Sequence, residues 1–121
     1  MRKIEENKAR ENRIYMDAIV DAYGPYERAT GWYYYLDDRI EFPFDAICTK
    51  PIGRSPLKEG EKVTVLEMTE ESDLSGIYVK IKWNNRSLAV PLDQLKPLNV
   101  DEQTQEAVED WHYWVDRGYQ F

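Results

Sequence analysis

Four carboxylates lie within nine residues, at Asp37, Asp38, Glu41 and Asp45, and Arg39 is the one base among them. A helical hydrophobic period leads up to this segment, so the acids follow the carboxyl end of a predicted helix. Backbone carbonyls lack partners there and the helix dipole is negative, so unpaired carboxylates are locally unfavourable unless a cation binds among them. Calcium prefers such oxygen ligands. We therefore predict a Ca²⁺ site among Asp38, Asp37, Glu41 and Asp45.

Two other groups of acids allow two interpretations each. Glu70, Glu71 and Asp73 form either a second cation-binding loop or a polar hairpin connection. Asp17 and Asp21 lie four residues apart on the first predicted helix, where they are either a solvated face or part of a cation site. The chain has no EF-hand loop pattern, so any calcium site is of another kind.

The sequence gives little support for catalysis. His112 is the only histidine and Cys48 the only cysteine, and nothing places them in one cleft. The neighbouring acids Asp37 and Asp38 point in different directions, and no apolar cleft is indicated that would raise the pKa of one of them. The glycine-rich, G-x-S-x-G and H-E-x-x-H motifs are absent. We expect a protein that is not an enzyme, with His112 in a packing role and Cys48 buried.

The charge of the chain limits its partners. The net charge of the 121-residue chain is −7, and the residues outside the mixed segment 2–13 hold 20 acids against 11 bases. Such a surface repels phosphate backbones and anionic lipids, so we expect no nucleic acid and no membrane as partner. Asp101, Glu102 and Asp110 are expected to raise the local cation concentration without coordinating the ion. The single cysteine and the absence of a signal-type apolar run are consistent with the cytoplasm.

The hydrophobic patterns predict one α+β domain over residues 1–121. Helices are expected at about 10–39, as an N-terminal helical hairpin that turns at Gly24-Pro25 and has Gly31 as a weak point in its second helix. Strands within about 44–98 form a small SH3-like antiparallel β-barrel, with a turn at Asn84-Asn85. A C-terminal helix at about 102–117, with Asp101 as N-cap, closes the core.

Several short motifs resemble those of the small acidic calcium-binding proteins of cyanobacteria, the CcbP-like family. They are Gly31-Trp32-Tyr33-Tyr34-Tyr35-Leu36 with the acids after it, Phe42-Pro43-Phe44, Ser55-Pro56-Leu57, Val90-Pro91-Leu92 and Glu109-Asp110-Trp111-His112-Tyr113-Trp114-Val115. The resemblance spans roughly Val20 to Phe121. It implies a cytosolic calcium buffer or sensor without EF-hands, with Asp37 and Asp38 among the ligands.

A second function class fits the same pattern. An SH3-like module without a metal requirement would bind a protein partner through a peptide groove, with exposed Trp32 or Trp114 as its anchor. Buried tryptophans would favour the calcium interpretation, and exposed ones would favour the interaction module.

Overall fold

A computed structural model describes residues 5–53, 55–69 and 76–121 of the chain. Within these residues, two α-helices come first, then five strands and a third α-helix. Their bounds are α1 Lys8–Arg13, continued by a π-helical turn Ile14–Ala18, then α2 Pro25–Arg39, β1 Phe44–Cys48, β2 Lys62–Met68, β3 Tyr78–Trp83, β4 Arg86–Pro91, β5 Leu95–Leu98 and α3 Glu102–Asp116. None of the described helices is long and apolar enough to cross a bilayer. The α+β class is confirmed.

The first helical segment ends earlier than predicted. The amide of Ile19 donates to the carbonyl of Ile14 at 3.0 Å, which closes a wide π-helical turn. Asp21 then adopts a left-handed backbone conformation with φ of 58°, so the chain leaves the helix before Gly24. The predicted end at Gly24 is therefore wrong, whereas α2 begins at Pro25 and ends at Arg39 as predicted. The hairpin arrangement of the two segments stays a prediction.

Gly31 in α2 allows the two helical segments to approach closely. A Cβ atom at this position would lie 2.3 Å from the carbonyl oxygen of Ala18, which no real contact tolerates. The glycine was predicted to weaken α2, because glycine has low helix propensity. Its lack of a side chain instead lets the backbone of the π-helical turn pack directly against the middle of α2.

We expect Gly31→Ala to destabilise the fold by about 2 kcal/mol, because overpacking against rigid backbone outweighs the gain of about 1 kcal/mol in helix propensity. Thr30→Ala is the matched control, since Thr30 is exposed on the same helix. It should change the free energy of unfolding by no more than about 0.5 kcal/mol. Urea unfolding followed by circular dichroism measures both, and a Gly31→Ala variant as stable as the control would contradict the close approach.

The strands form an antiparallel sheet in the order β4-β3-β2-β1-β5. Asn84 and Asn85, both left-handed, make the predicted tight turn between β3 and β4. The outer strands β4 and β5 do not pair with each other, so the sheet is open and the predicted closed barrel is wrong. Pro97 lacks an N–H group and suits the edge strand β5. Helix α3 packs against β5 and the short turn Leu92–Gln94 before it. The SH3-like likeness stays a prediction.

Aromatic rings from α2 and α3 build the core on the helical side. Trp32 lies 5.1 Å from Trp111 and 5.6 Å from Trp114 between ring centroids. Trp32 is 0% exposed and Trp114 is 4% exposed, so neither ring is available to a partner. The predicted interaction module anchored on these two tryptophans is therefore wrong in its anchor residues, and their burial favours the calcium interpretation.

A buried carboxylate ties the N-terminal segment to α3. Asp110 is 0% exposed, and its oxygens accept hydrogen bonds from Arg10 at 2.7 Å and from Arg13 at 2.7 and 3.0 Å. The Tyr35 hydroxyl donates to the same carboxylate at 2.6 Å. Burial and this contact raise the pKa of Tyr35. The prediction that Asp110 attracts cations from solvent is wrong, because its charge is compensated inside the protein.

Candidate metal centre

The carboxyl end of α2 carries the first two predicted ligands. Ile40 leaves the helix with extended backbone angles and buries its side chain, which ends α2 immediately after Arg39. Asp37 and Asp38 lie in the last turn and are exposed, with 84% of the Asp38 side chain accessible. Both carboxylates therefore face solvent beside the negative end of the helix dipole, the unfavourable placement that the sequence predicted.

Arg39 offsets part of this negative charge. Its guanidinium lies 3.9 Å from the carboxylate of Asp38 and 3.7 Å from that of Asp17, and it stacks over the ring of Tyr35 at 4.2 Å from the centroid. Such partly exposed ion pairs contribute little to stability. Asp17 thus lies near the carboxyl end of α2 as well, on the side of the predicted cation site.

Glu41 and Asp45 lie in a cleft beyond the helix end. The cleft has a volume of about 440 Å³ and runs between the start of β1, the end of β5 and the start of α3. Its walls also include Asp101 and the side chains of Thr64 and Asn99. The hydroxyl of Thr64 donates to the carboxylate of Asp45 at 3.1 Å, which orients that carboxylate along the sheet surface.

Thr104 joins the two sides of this cleft. Its hydroxyl accepts from the backbone N–H of Glu41 at 3.0 Å and donates to the carboxylate of Asp101 at 2.5 Å. Asp101 also accepts from the backbone N–H of Thr104 at 3.3 Å, as the predicted N-cap of α3. The hydrogen bond from the Thr104 hydroxyl is the main reason that the pKa of Asp101 lies below its usual range. Asp101 is therefore held ionised at the rim of the cleft.

The four predicted ligands are not gathered into one cluster. Glu41 and Asp45 line the cleft, whereas Asp37 and Asp38 lie outside its walls. Within residues 5–53, 55–69 and 76–121, no three His, Cys, Asp or Glu side chains are close enough to hold one metal ion. The possible second loop at Glu70, Glu71 and Asp73 lies outside the described residues.

The donor chemistry of the cleft nevertheless suits calcium. Every polar side chain in its wall offers oxygen: carboxylates from Glu41, Asp45 and Asp101, a hydroxyl from Thr64 and an amide from Asn99. Calcium prefers carboxylate and carbonyl oxygens in flexible, partly hydrated arrangements. No nitrogen or sulfur ligand of the kind that favours zinc or copper is present in this wall.

Sequence reasoning missed part of this cleft. Asp101 was assigned a role as N-cap and as a diffuse source of charge, and Thr64, Asn99 and Thr104 were not singled out. One signal was available, because Asn99 and Asp101 flank the start of a helix that follows an edge strand. Thr64 carried no such signal, since only its pairing with Asp45 across the sheet brings it to the cleft.

His112 and Cys48 have separate surroundings. A ring nitrogen of His112 lies 3.4 Å from the carbonyl of Leu92, and the thiol of Cys48 lies 3.2 Å from the carbonyl of Lys50. Burial raises the pKa of the Cys48 thiol, which makes it a weaker nucleophile at neutral pH. Neither group has the base and orienting partner that nucleophilic catalysis needs.

His112 should make the fold less stable in mild acid. Burial lowers the pKa of His112, so the unfolded chain binds a proton at a higher pH than the folded chain does. The free energy of unfolding should therefore fall as the pH drops below about 6.5, the ordinary histidine value. Urea unfolding at pH 7 and pH 5 measures the fall, and His112→Gln should make it smaller. An equal fall in the variant would contradict this assignment.

Comparison with known proteins identifies the family. A family model described as calcium binding, Calci_bind_CcbP, matches residues 12–115. The chain belongs to the CcbP calcium-binding family. Ca²⁺ is therefore the ion that this family binds. The family consists of calcium-binding proteins and is not a family of enzymes. No curated protein matches the chain.

Two solved structures resemble this fold over its whole length. The crystal structure of Anabaena CcbP is 39% identical, with a TM-score of 0.87 and 100% of each chain covered. A calcium binding protein in its calcium-binding form is also 39% identical, with a TM-score of 0.84 and 100% of each chain covered. The resemblance to the CcbP-like family that the sequence motifs indicated is confirmed.

Proposed function

We propose that this chain binds Ca²⁺ reversibly, as a cytosolic buffer or sensor, and that Asp38, Asp37, Glu41 and Asp45 supply the ligand carboxylates. The observation that carries the proposal is the oxygen-lined cleft of Glu41, Asp45 and Asp101 in a chain of a calcium-binding family. The relative that was solved in its calcium-binding form supports it, since that structure shares the fold along the entire chain.

The four proposed ligands fall into two pairs, one in the cleft and one at the helix end. Glu41 and Asp45 line the cleft together with the ionised Asp101, and Thr64 and Asn99 add neutral oxygens to its wall. Asp37 and Asp38 lie at the helix end, and Arg39 neutralises only part of the charge there. The helix-end pair offers only its carboxylate oxygens, fewer than the roughly 6–8 that calcium takes, and the described cleft carboxylates are not close enough together to hold one ion by themselves. Water and backbone carbonyls therefore complete the shell in this proposal.

A partly hydrated site of this kind sets the expected affinity. Sensor and weaker calcium sites have dissociation constants of roughly 10⁻⁷–10⁻⁴ M. Magnesium should compete poorly, because it requires tight octahedral geometry and releases its water reluctantly. We also propose that the chain acts as one domain, has no catalytic activity and takes neither nucleic acid nor membrane as partner.

Isothermal titration calorimetry tests the proposal. Purified protein is titrated with CaCl₂ and, separately, with MgCl₂ at about 100 mM salt, where surface attraction is largely screened. We expect saturable binding of Ca²⁺ and much weaker binding of Mg²⁺. No heat of binding with Ca²⁺ up to millimolar concentration would contradict calcium binding by this chain, and equal affinities for both ions would contradict a flexible calcium site.

A further inference from the structure

The exposed large hydrophobic side chains are confined to one part of the molecule. Six such side chains occur among the described residues, and all lie within 20 consecutive positions between the start of the π-helical turn and the third turn of α2. They are Tyr15, Met16, Val20, Tyr23, Tyr26 and Tyr34, which we call the tyrosine surface. Single exposed hydrophobic residues are ordinary, but a concentration of this kind marks an interaction surface.

The members of the tyrosine surface come from the π-helical turn, the connection that follows it and α2, and the turn and α2 lie side by side. The backbone of Ala18 packs against Gly31, so the π-helical turn runs next to the middle of α2. Tyr26, Thr30 and Tyr34 follow one another at four-residue steps and therefore share the outer face of α2. Tyr26 is 70% exposed and Tyr34 is 65% exposed. Because the two segments are in backbone contact, their exposed side chains lie in the same part of the molecule.

Acidic residues outnumber bases in the stretch that carries the tyrosine surface, and both of its bases have partners within the protein. Arg28 donates to the backbone carbonyl of Phe121, and Arg39 is occupied by Tyr35 and by two carboxylates. These are the only two bases between residues 14 and 40. The acids of the same stretch are all exposed, namely Asp17, Asp21, Glu27, Asp37 and Asp38. The surface therefore presents aromatic rings inside a negative rim.

We infer that the tyrosine surface docks a basic amphipathic segment of a protein partner. Tyrosine is enriched at the centres of interfaces because it buries a large ring and keeps a hydroxyl for hydrogen bonding. A rim of carboxylates selects lysine and arginine in the partner and repels an acidic or phosphate-bearing one. A second copy of this chain is disfavoured as occupant, because its own negative rim would meet the same charges.

The proposed calcium function adds a consequence for this docking. Asp37 and Asp38 belong both to the rim and to the proposed ligands, so bound Ca²⁺ would remove negative charge that the basic partner needs. Calcium should therefore weaken docking, and by linkage the partner should weaken calcium binding by the same factor. Only this consequence rests on the proposed function, whereas docking in chelator does not.

Fluorescence anisotropy with defined peptides tests the docking. The first probe is a labelled helical peptide of about 18 residues with lysine on one face and leucine and tryptophan on the other. The second carries glutamate in place of lysine, and the third has the composition of the first in scrambled order, without an apolar face. We expect binding of the first peptide only, in buffer that contains chelator at about 100 mM salt.

Variants of the folded protein separate docking from unspecific attraction. Tyr26→Ser combined with Tyr34→Ser should weaken binding of the lysine peptide about tenfold or more, as expected for removal of two central anchors. Glu27→Gln should weaken it more than Glu59→Gln, which removes an exposed charge in the β1–β2 connection. The four substituted positions are all exposed, so we expect each variant to fold, and circular dichroism checks this.

Several results would overturn the inference. They are the failure of the wild-type protein to bind the lysine peptide, equal binding of the glutamate or scrambled peptide, or unchanged binding by the double serine variant. Sedimentation velocity of the protein alone tests the other occupant, and a dimer that the double serine variant abolishes would assign the surface to a second copy. If the peptide binds in chelator while calorimetry shows no Ca²⁺ binding, the docking stands and the proposed function fails.

Discussion

Replacing Asp110 by alanine should destabilise the protein by about 3–5 kcal/mol, because it leaves the guanidinium groups of Arg10 and Arg13 facing an uncharged, partly buried site. The hydroxyl of Tyr35 loses its acceptor as well. Urea unfolding measures the loss. Amide hydrogen exchange should show that residues 7–18 lose protection first, because Asp110 accepts the hydrogen bonds by which Arg10 and Arg13 of this segment contact α3.

Glu109→Ala is the matched control for this prediction. Glu109 precedes Asp110 on α3 and also faces Arg10, at 3.6 Å, but its side chain is 49% exposed. Exposed ion pairs contribute at most about 1 kcal/mol, so the control should be much less destabilised. Similar losses in the two variants would show that burial of the Asp110 charge has no special weight in the fold.

Replacing both Asp37 and Asp38 by asparagine should weaken Ca²⁺ binding by at least about tenfold, and Asp38→Asn alone should account for most of that loss. The change keeps the shape of each side chain but removes the charge that attracts a divalent ion. The same substitutions should leave the metal-free protein equally stable or slightly more stable, because two negative charges leave the negative end of a helix. Calorimetry and urea unfolding measure the two effects.

Glu59→Gln serves as control for the overall charge, since it removes one exposed carboxylate from a loop between β1 and β2. Its calcium affinity should stay close to that of the wild type. An unchanged Ca²⁺ affinity in the Asp37→Asn, Asp38→Asn variant would remove both residues from the site. A comparable loss of Ca²⁺ affinity in Glu59→Gln would show that only the net charge of the protein matters.

Local signals in the sequence predicted the helices and most strands well. Pro25 favours a helix start, Asp101 caps α3 and Gly118 follows its end with a left-handed φ of 80°, so the bounds of α2 and α3 agree with expectation. The π-helical turn was not predictable, because it depends on how Ala18 packs against Gly31. Whether β4 and β5 pair likewise depends on how the whole sheet curves, which no local pattern encodes.

The candidate site was predictable in its chemistry but not in its arrangement. The four acids at and beyond the end of α2 stood out by type and spacing alone. Their division into a helix-end pair and a cleft pair follows from the extended backbone of Ile40 and from the contact between Glu41 and Thr104, 63 residues later in the chain. Such long-range contacts also bring Asp101 beside Glu41, although sequence spacing places them far apart.

The central claim is that the carboxylates at and beyond the end of α2 hold Ca²⁺. Anomalous diffraction from crystals soaked in calcium tests it most directly, because it locates the ion without reference to affinity. We expect anomalous density within about 2.3–2.6 Å of carboxylate oxygens of the group Asp37, Asp38, Glu41 and Asp45. Density that lies only elsewhere in the molecule, with these four side chains free in solvent, would contradict it.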